Sequence, residues 1–338
     1  MRKIFTFILS LVMVLSMSTI VFAEGETGTI TNGGEKTITF NKIYDLVNSG
    51  TSSPSETITF KIKNHGMTDT TETIMPSFEK GEYSFTTVEG VVTNEFSIDL
   101  PTYYKVGKYT YEITEAVGNT AGVDYNETSY YLVVTVSKGD EGLIRTTALH
   151  HGDTNNKDNK VDGINNTYSA GSLAISKKVT GNMGETDRYF AVNVTLNAPT
   201  NKDVKSTISI SPTSYKNIAE DGTIETNPTS ITVGTPTTFY LKDGETITLG
   251  NVPYGVTYTV VEDDYTGDDY DYDAATYNWS DNNKKVDSAQ DTVTITNNKQ
   301  RDVDTGIIVD NLPYIIILAG VVVGMGVFFT KKRTANNN

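Results

Sequence analysis

Two sets of three polar side chains recur in the same order along this chain: a Lys, a Glu and an Asn, each near the end of an alternating apolar run. In the first half the runs are Ile38-Thr39-Phe40-Asn41-Lys42, Tyr109-Thr110-Tyr111-Glu112-Ile113-Thr114-Glu115 and Ile164-Asn165-Asn166. In the second they are Leu173-Ala174-Ile175-Ser176-Lys177, Val256-Thr257-Tyr258-Thr259-Val260-Val261-Glu262 and Val293-Thr294-Ile295-Thr296-Asn297. Side chains at i, i+2 and i+4 of a strand share a face. Lys42 therefore lies with Ile38 and Phe40, Glu115 with Tyr111 and Ile113, and Asn166 with Ile164 and Tyr168. Lys177, Glu262 and Asn297 fall on the apolar side by the same parity, whereas Asn165 and Lys178 do not.

Burying such groups is costly unless they meet one another. Desolvation pushes a Lys amine toward its neutral, nucleophilic form and a Glu carboxyl toward its protonated form. A neutral amine held against an Asn carboxamide, with a carboxyl to relay protons, can form an isopeptide bond and release ammonia. The plainer alternative for each set is a salt bridge or a strand-end Lys whose stem is buried and whose head reaches water. Asn165 and Asn298 compete with Asn166 and Asn297 as the third member.

The elements that must position these groups are strands. Thr, Val, Ile and Tyr alternate with period two in stretches such as 57–62, 130–136, 191–196 and 246–249, and turn-forming clusters interrupt them every ten or so residues. The pattern predicts an all-β chain, most simply tandem β-sandwiches. A turn-rich run over 153–163 and a break at Ser169-Ala170-Gly171 place the boundary, giving one domain over 24–170 and a second over 171–301.

The 338-residue chain has no cysteine, which excludes disulfides, thiol nucleophiles and Cys-based metal sites. The formal net charge of −15 argues against nucleic acid as a partner. His65, His150 and His151 are expected in surface loops rather than at a metal site. Asp269-Tyr270-Asp271-Tyr272-Asp273 has alternating carboxylates, but Ala274 and Ser280 stand where a calcium loop needs Gly and Glu, so a solvated acidic loop is expected. No metal, cofactor or hydrolytic constellation stands out, and the chain does not read as an enzyme.

Both ends carry targeting features. Arg2 and Lys3 precede an apolar run, and Val21-Phe22-Ala23 offers small residues at a cleavage position, so residues 1–23 read as a signal peptide and the protein as exported. At the other end, polar residues 302–306 precede an uncharged span over 312–329 and a basic tail at 331–333. That span is just long enough to cross a hydrocarbon core of about 30 Å, and the trailing cations favour a cytoplasmic end.

Residues 302–338 resemble the cell-wall sorting signal of Gram-positive surface proteins. The common pattern there is Leu-Pro-x-Thr-Gly; here Val303-Asp304 precedes Thr305-Gly306, and Pro313-Tyr314 opens the hydrophobic run. The Lys, Glu, Asn order and the Lys177-Lys178-Val179-Thr180-Gly181-Asn182 stretch resemble the major pilins of the T-antigen type, built of Ig-like (CnaB-type) isopeptide domains. The resemblance implies cross-links Lys42–Asn166 and Lys177–Asn297, promoted by Glu115 and Glu262. It also implies sortase cleavage between Thr305 and Gly306, and joining of Thr305 to a lysine of the next subunit, Lys160 with Lys157 as the alternative. Sortase and identical subunits are the implied partners, with minor pilins, peptidoglycan and a host ligand as further candidates. The expected location is the cell wall, after transient membrane anchoring. A monomeric wall-anchored adhesin with the same domains is the alternative function.

Overall fold

The computed structural model describes residues 32–211, 217–218, 224–225, 228–267, 269–303 and 312–335. The signal-peptide expectation and the Thr305-Gly306 cleavage site lie outside the described residues.

The first domain contains β1 (Asn32–Gly34), β2 (Thr37–Leu46), β3 (Thr57–Thr68), β4 (Glu82–Thr86), β5 (Thr93–Asp99) and β6 (Gly107–Glu115). It continues with β7 (Val123–Asp124), β8 (Tyr130–Gly139), β9 (Gly142–His151), β10 (Lys160–Val161) and β11 (Gly163–Tyr168). One sheet runs β1-β9-β8-β6-β3-β4, with β10 on β9, and the other runs β5-β2-β11-β7. Their inner faces bury Phe40, Phe60, Tyr109, Tyr111, Leu132 and Ile164 in one core.

The second domain contains β12 (Ala170–Thr180), β13 (Phe190–Asn197), β14 (Thr207–Ser211), β15 (Asn217–Ile218), β16 (Ile224–Glu225) and β17 (Ser230–Thr232). Then follow β18 (Thr237–Leu241), β19 (Thr246–Pro253), β20 (Thr257–Glu262), β21 (Thr276–Trp279) and β22 (Gln290–Asn298). A β17-β14-β19-β12-β22-β21 sheet and a β18-β13-β20 sheet enclose a core of Leu173, Ile175, Val192, Phe239, Leu249 and Ile295, and β15 pairs β16 apart from both. The protein is thus all-β, two sandwiches in tandem.

One pairing recurs in both domains. The first long strand lies parallel beside the last: β2 beside β11, and β12 beside β22. Opposite Lys42 is Ile164, so Asn166 sits two residues further along; opposite Lys177 is Ile295, and Asn297 is likewise two residues on. Because the side-chain period is two, this offset keeps each Lys and its Asn on one face.

The expected break at 169–171 is one residue wide. Ala170 and Gly171 already belong to β12, because their backbones pair with Pro253 and Val252. Ser169 alone separates β11 from β12, its N–H donating to Gly122 and its carbonyl accepting from Tyr254 N–H. Gly122 has φ +78°, and a Cβ there would collide with the Ser169 carbonyl, so glycine lets the two chains close over the junction. Asn48 adds bonds across it to the Ala170 carbonyl and the Tyr254 hydroxyl.

Three further expectations change. The turn-rich run over 153–163 holds a 3-10 turn at Lys157–Asn159 and the short strand β10. None of the histidines is in a loop: His65 lies in β3 and His150 and His151 in β9, and His150 is buried although it alternates with core-facing Leu149, because β10 pairs beside it and the Asn156 backbone lies against its ring. The acidic run 269–273 is tied down rather than freely solvated. Arg301 forms ion pairs with Asp271 and Asp273, and Tyr272 is buried against Phe190. Beyond Val303, α1 (Leu312–Ala335) is exposed on every side described, and its Tyr314–Lys332 segment is long and apolar enough to cross a membrane.

Candidate functional site

In the first domain the alternation of β2 turns Ile38, Phe40, Lys42 and Tyr44 inward, and Lys42 is fully buried. Glu115 ends β6 in the opposite sheet, with every second residue from Tyr109 onward facing the core. Asn166 lies inward on β11, next to β2. The three meet across the sandwich. Lys42 Nζ donates to Glu115 Oε2 at 2.7 Å, and Asn166 Nδ2 donates to Glu115 Oε1 at 2.6 Å. Glu115 therefore stands as a bridge between amine and carboxamide.

The Asn166 orientation is set by its neighbours. The Asn126 backbone N–H, which can only donate, lies 2.9 Å from Oδ1, leaving Nδ2 to face the carboxylate. Burial lowers the Lys42 pKa below the usual lysine range and raises that of Glu115 above the usual carboxylate range; in each case their mutual attraction opposes the shift without cancelling it. Each group is thereby moved toward its neutral form.

The second domain assembles the same residues from equivalent places. Lys177 comes from β12, Asn297 from the parallel neighbour β22, and Glu262 from the end of β20 in the facing sheet. All three are buried. Here Lys177 Nζ donates directly to Asn297 Oδ1 at 2.7 Å, while Glu262 Oε1 lies 3.2 Å from Nζ as an ion-pair partner. The Phe190 ring faces the amine, with its centroid 4.1 Å from Nζ. Desolvation again lowers the lysine pKa and raises that of the glutamate.

The competing asparagines go elsewhere. Asn165 bonds Asp45 on the outer face, and Asn298 bonds Thr180 and Asp273. Lys157 sits in the 3-10 turn and Lys160 opens β10 opposite His150; both are exposed.

Sequence reasoning missed two features of the first site. One is the Asn126 N–H, which has no side-chain signature. The other is Glu56, whose carboxylate accepts from the hydroxyls of Tyr44, Tyr125 and Thr120 just beyond the triad. A lone Glu before the alternation of β3 carries no pattern that would single it out. Phe190, beneath Lys177, was legible only as a core aromatic.

Residues 33–169 match the family of Spy0128-like isopeptide containing domains, and residues 171–299 match a domain family of unknown function. A curated pilin of Streptococcus pyogenes serotype M1 is 30% identical over 335 residues, covering 92% of this chain and 94% of that protein. The crystal structure of the major pilin from Streptococcus pyogenes is 25% identical, with a TM-score of 0.53, covering 80% of this chain and all of that one. A variant of that pilin, with an Asn replaced by Ala, superposes with a TM-score of 0.51 at the same identity and coverage. With similarity running through both sandwiches and nearly the full length of the relative, the chain belongs to the pilin family, a cell-surface pilus subunit whose first domain is of the isopeptide-containing type.

Proposed function

We propose that this subunit is the covalently polymerised backbone of its pilus, with one Lys–Asn isopeptide bond inside each domain. The observation that carries the reading is the duplicated triad: two buried Lys-Glu-Asn sets, each with first and last strands parallel, a two-residue offset and the Glu delivered from the facing sheet.

The first domain supports a balanced sequence of steps. Lys42 passes a proton to Glu115 Oε2, leaving a neutral amine beside a carboxylic acid, a transfer that burial favours. The amine attacks Asn166 Cγ, forming the new C–N bond. Protonation of Nδ2 from the glutamate lets the C–Nδ2 bond break, and the carboxylate takes the surplus proton from the attacking nitrogen. Ammonia leaves, and Glu115 ends protonated. Holding the three groups in contact supplies the effective molarity that an amine and an amide lack in solution.

Each bond would close a loop of about 120 residues and remove roughly 4 to 5 kcal/mol of denatured-state entropy on the disulfide model. Tension entering at the first strand of a domain would leave at its last through a covalent link. Between subunits, sortase would cut after Thr305 and pass its carbonyl to Lys160, whose side chain is exposed. The span in α1 holds the precursor in the membrane until then.

Polymerisation is tested by boiling wall extracts in detergent. A high-mass ladder is expected from the natural chain, and a single species from Lys160→Arg, with both internal bonds retained. A ladder that survives Lys160→Arg moves the linkage to another amine, Lys157 first. A single species from the natural chain supports a monomeric wall-anchored adhesin instead.

A further inference from the structure

The geometry points to the backbone N–H of Asn126 as an oxyanion donor for cross-linking in the first domain, a group that the second domain lacks among its described residues. The inference rests on the reading that Lys42 and Asn166 become joined.

When the Lys42 amine adds to Asn166 Cγ, the C–O bond loses its double-bond character and negative charge collects on Oδ1. A donor already aimed at that oxygen, in a site closed to water, stabilises the addition step without reorganising. Asn126 N–H meets the requirement: it lies 2.9 Å from Oδ1, whereas Glu115 contacts only the opposite end of the carboxamide, at Nδ2. The glutamate therefore serves the amine and the leaving nitrogen, and the loop serves the oxygen.

The donor is held in place from three sides. β7 pairs antiparallel with β11, with Asp124 opposite Thr167 and Val123 opposite Tyr168, so the chain leaving β7 runs directly alongside Asn166. Tyr125 is anchored through its hydroxyl to Glu56, and the Thr120 N–H donates to the same hydroxyl. The Asn126 side chain donates to the Tyr130 hydroxyl and accepts from Thr128 N–H, closing a turn on itself. None of these contacts draws on the reacting atoms. In the second domain Oδ1 of Asn297 accepts from Lys177 Nζ, the attacking group itself, and no described backbone N–H reaches it. That hydrogen bond must be given up as the amine turns its lone pair toward the carbonyl carbon.

The test makes the full mature chain by cell-free translation with the α-hydroxy analogue of asparagine at position 126, which replaces the N–H by an ester oxygen and keeps the side chain. The two cross-links are timed separately, as ammonia-loss mass deficits in the peptides that contain them. The ester should slow Lys42–Asn166 formation about 100-fold and leave Lys177–Asn297 unchanged. Asn126→Ala keeps the N–H and loses only the side-chain bonds to Tyr130 and Thr128, so it should slow the first bond far less than the ester does. Equal rates in the ester and natural chains overturn the assignment, as does slowing by Asn126→Ala equal to that by the ester, which would trace the effect to the side chain. If the ester chain fails to protect its first domain from protease, Asn126→Pro decides by the same comparison. A natural chain that never loses ammonia between Lys42 and Asn166 refutes the cross-link itself, an outcome distinct from a bond that forms without needing the N–H.

Discussion

The two triads contain the same residues on equivalent strands, yet they are wired differently. In the first domain Glu115 separates Lys42 from Asn166 and bonds both; in the second, Lys177 touches Asn297 directly, with Glu262 beside the pair and in contact with both. A carboxyl between amine and amide is placed to carry protons from one to the other. An amine already on the amide oxygen polarises that carbonyl as a cation but must shed a proton and reorient before it can attack. Topology therefore fixes which residues meet, while the adjoining loop and rings decide how each site is primed: Asn126 and Glu56 in one domain, Phe190 in the other.

The largest difference should appear when the carboxyl is replaced. Glu115→Gln removes the carboxyl that links Lys42 with Asn166, and should lower the rate of the first bond about 1,000-fold, by time-resolved mass measurement. Glu262→Gln leaves the Lys177–Asn297 contact intact and should cost nearer 100-fold. Equal losses would erase the proposed distinction between the sites.

Next in size is stability. Lys42→Met and Lys177→Met should each abolish one cross-link and lower the unfolding free energy of that domain by about 4 to 5 kcal/mol in guanidinium titrations, with the other domain's transition unmoved. Methionine fills the volume, and the remaining glutamate can take a proton instead of staying as an isolated buried charge. A shared loss in both transitions would show that the domains do not unfold independently.

The pH dependence of bond formation follows from the shifts. Lys42 and Lys177 are held below the usual lysine range, so deprotonation comes within reach nearer neutrality, and acid should stop the reaction by keeping the amines charged. Glu115 and Glu262 are held above the usual carboxylate range, so alkali should stop it by removing the proton the leaving nitrogen needs. Each rate profile should be a bell, and a profile rising without limit toward high pH would remove the glutamates as proton carriers.

The smallest effects belong to the neighbouring amides. Asn165→Ala and Asn298→Ala break surface bonds to Asp45, Thr180 and Asp273, so each should leave both mass deficits intact and change stability by no more than about 1 kcal/mol.

Much of this was legible in the sequence because strand parity is strict. A Lys two residues after a core Phe must share its face, and Lys42, Glu115 and Asn166 are all buried where the alternation puts them. The parallel pairing of first and last strands was not legible, since it depends on which edges meet after folding. Nor was Asn126, whose contribution is a backbone N–H, identical in every residue but proline. His150 was not legible for a different reason: its parity in β9 sets it on the face away from Leu149, and the 153–161 segment that buries it there folds back through a contact that alternation does not show. Ser169-Ala170-Gly171 reads as a linker by composition, yet small residues also suit the start of a close-packed strand: Ala170 is buried in the first domain's core, and a Cβ at Gly171 would collide with the Ser288 carbonyl.

The central claim is that each triad becomes a covalent bond, and the intact mass of the mature chain tests it most directly. Two bonds predict a mass about 34 Da below that of the unlinked sequence, two ammonia losses, with digestion yielding one peptide joining Lys42 to Asn166 and another joining Lys177 to Asn297. An unshifted mass, or a deficit that persists in the Lys42→Ala, Lys177→Ala double variant, would contradict it.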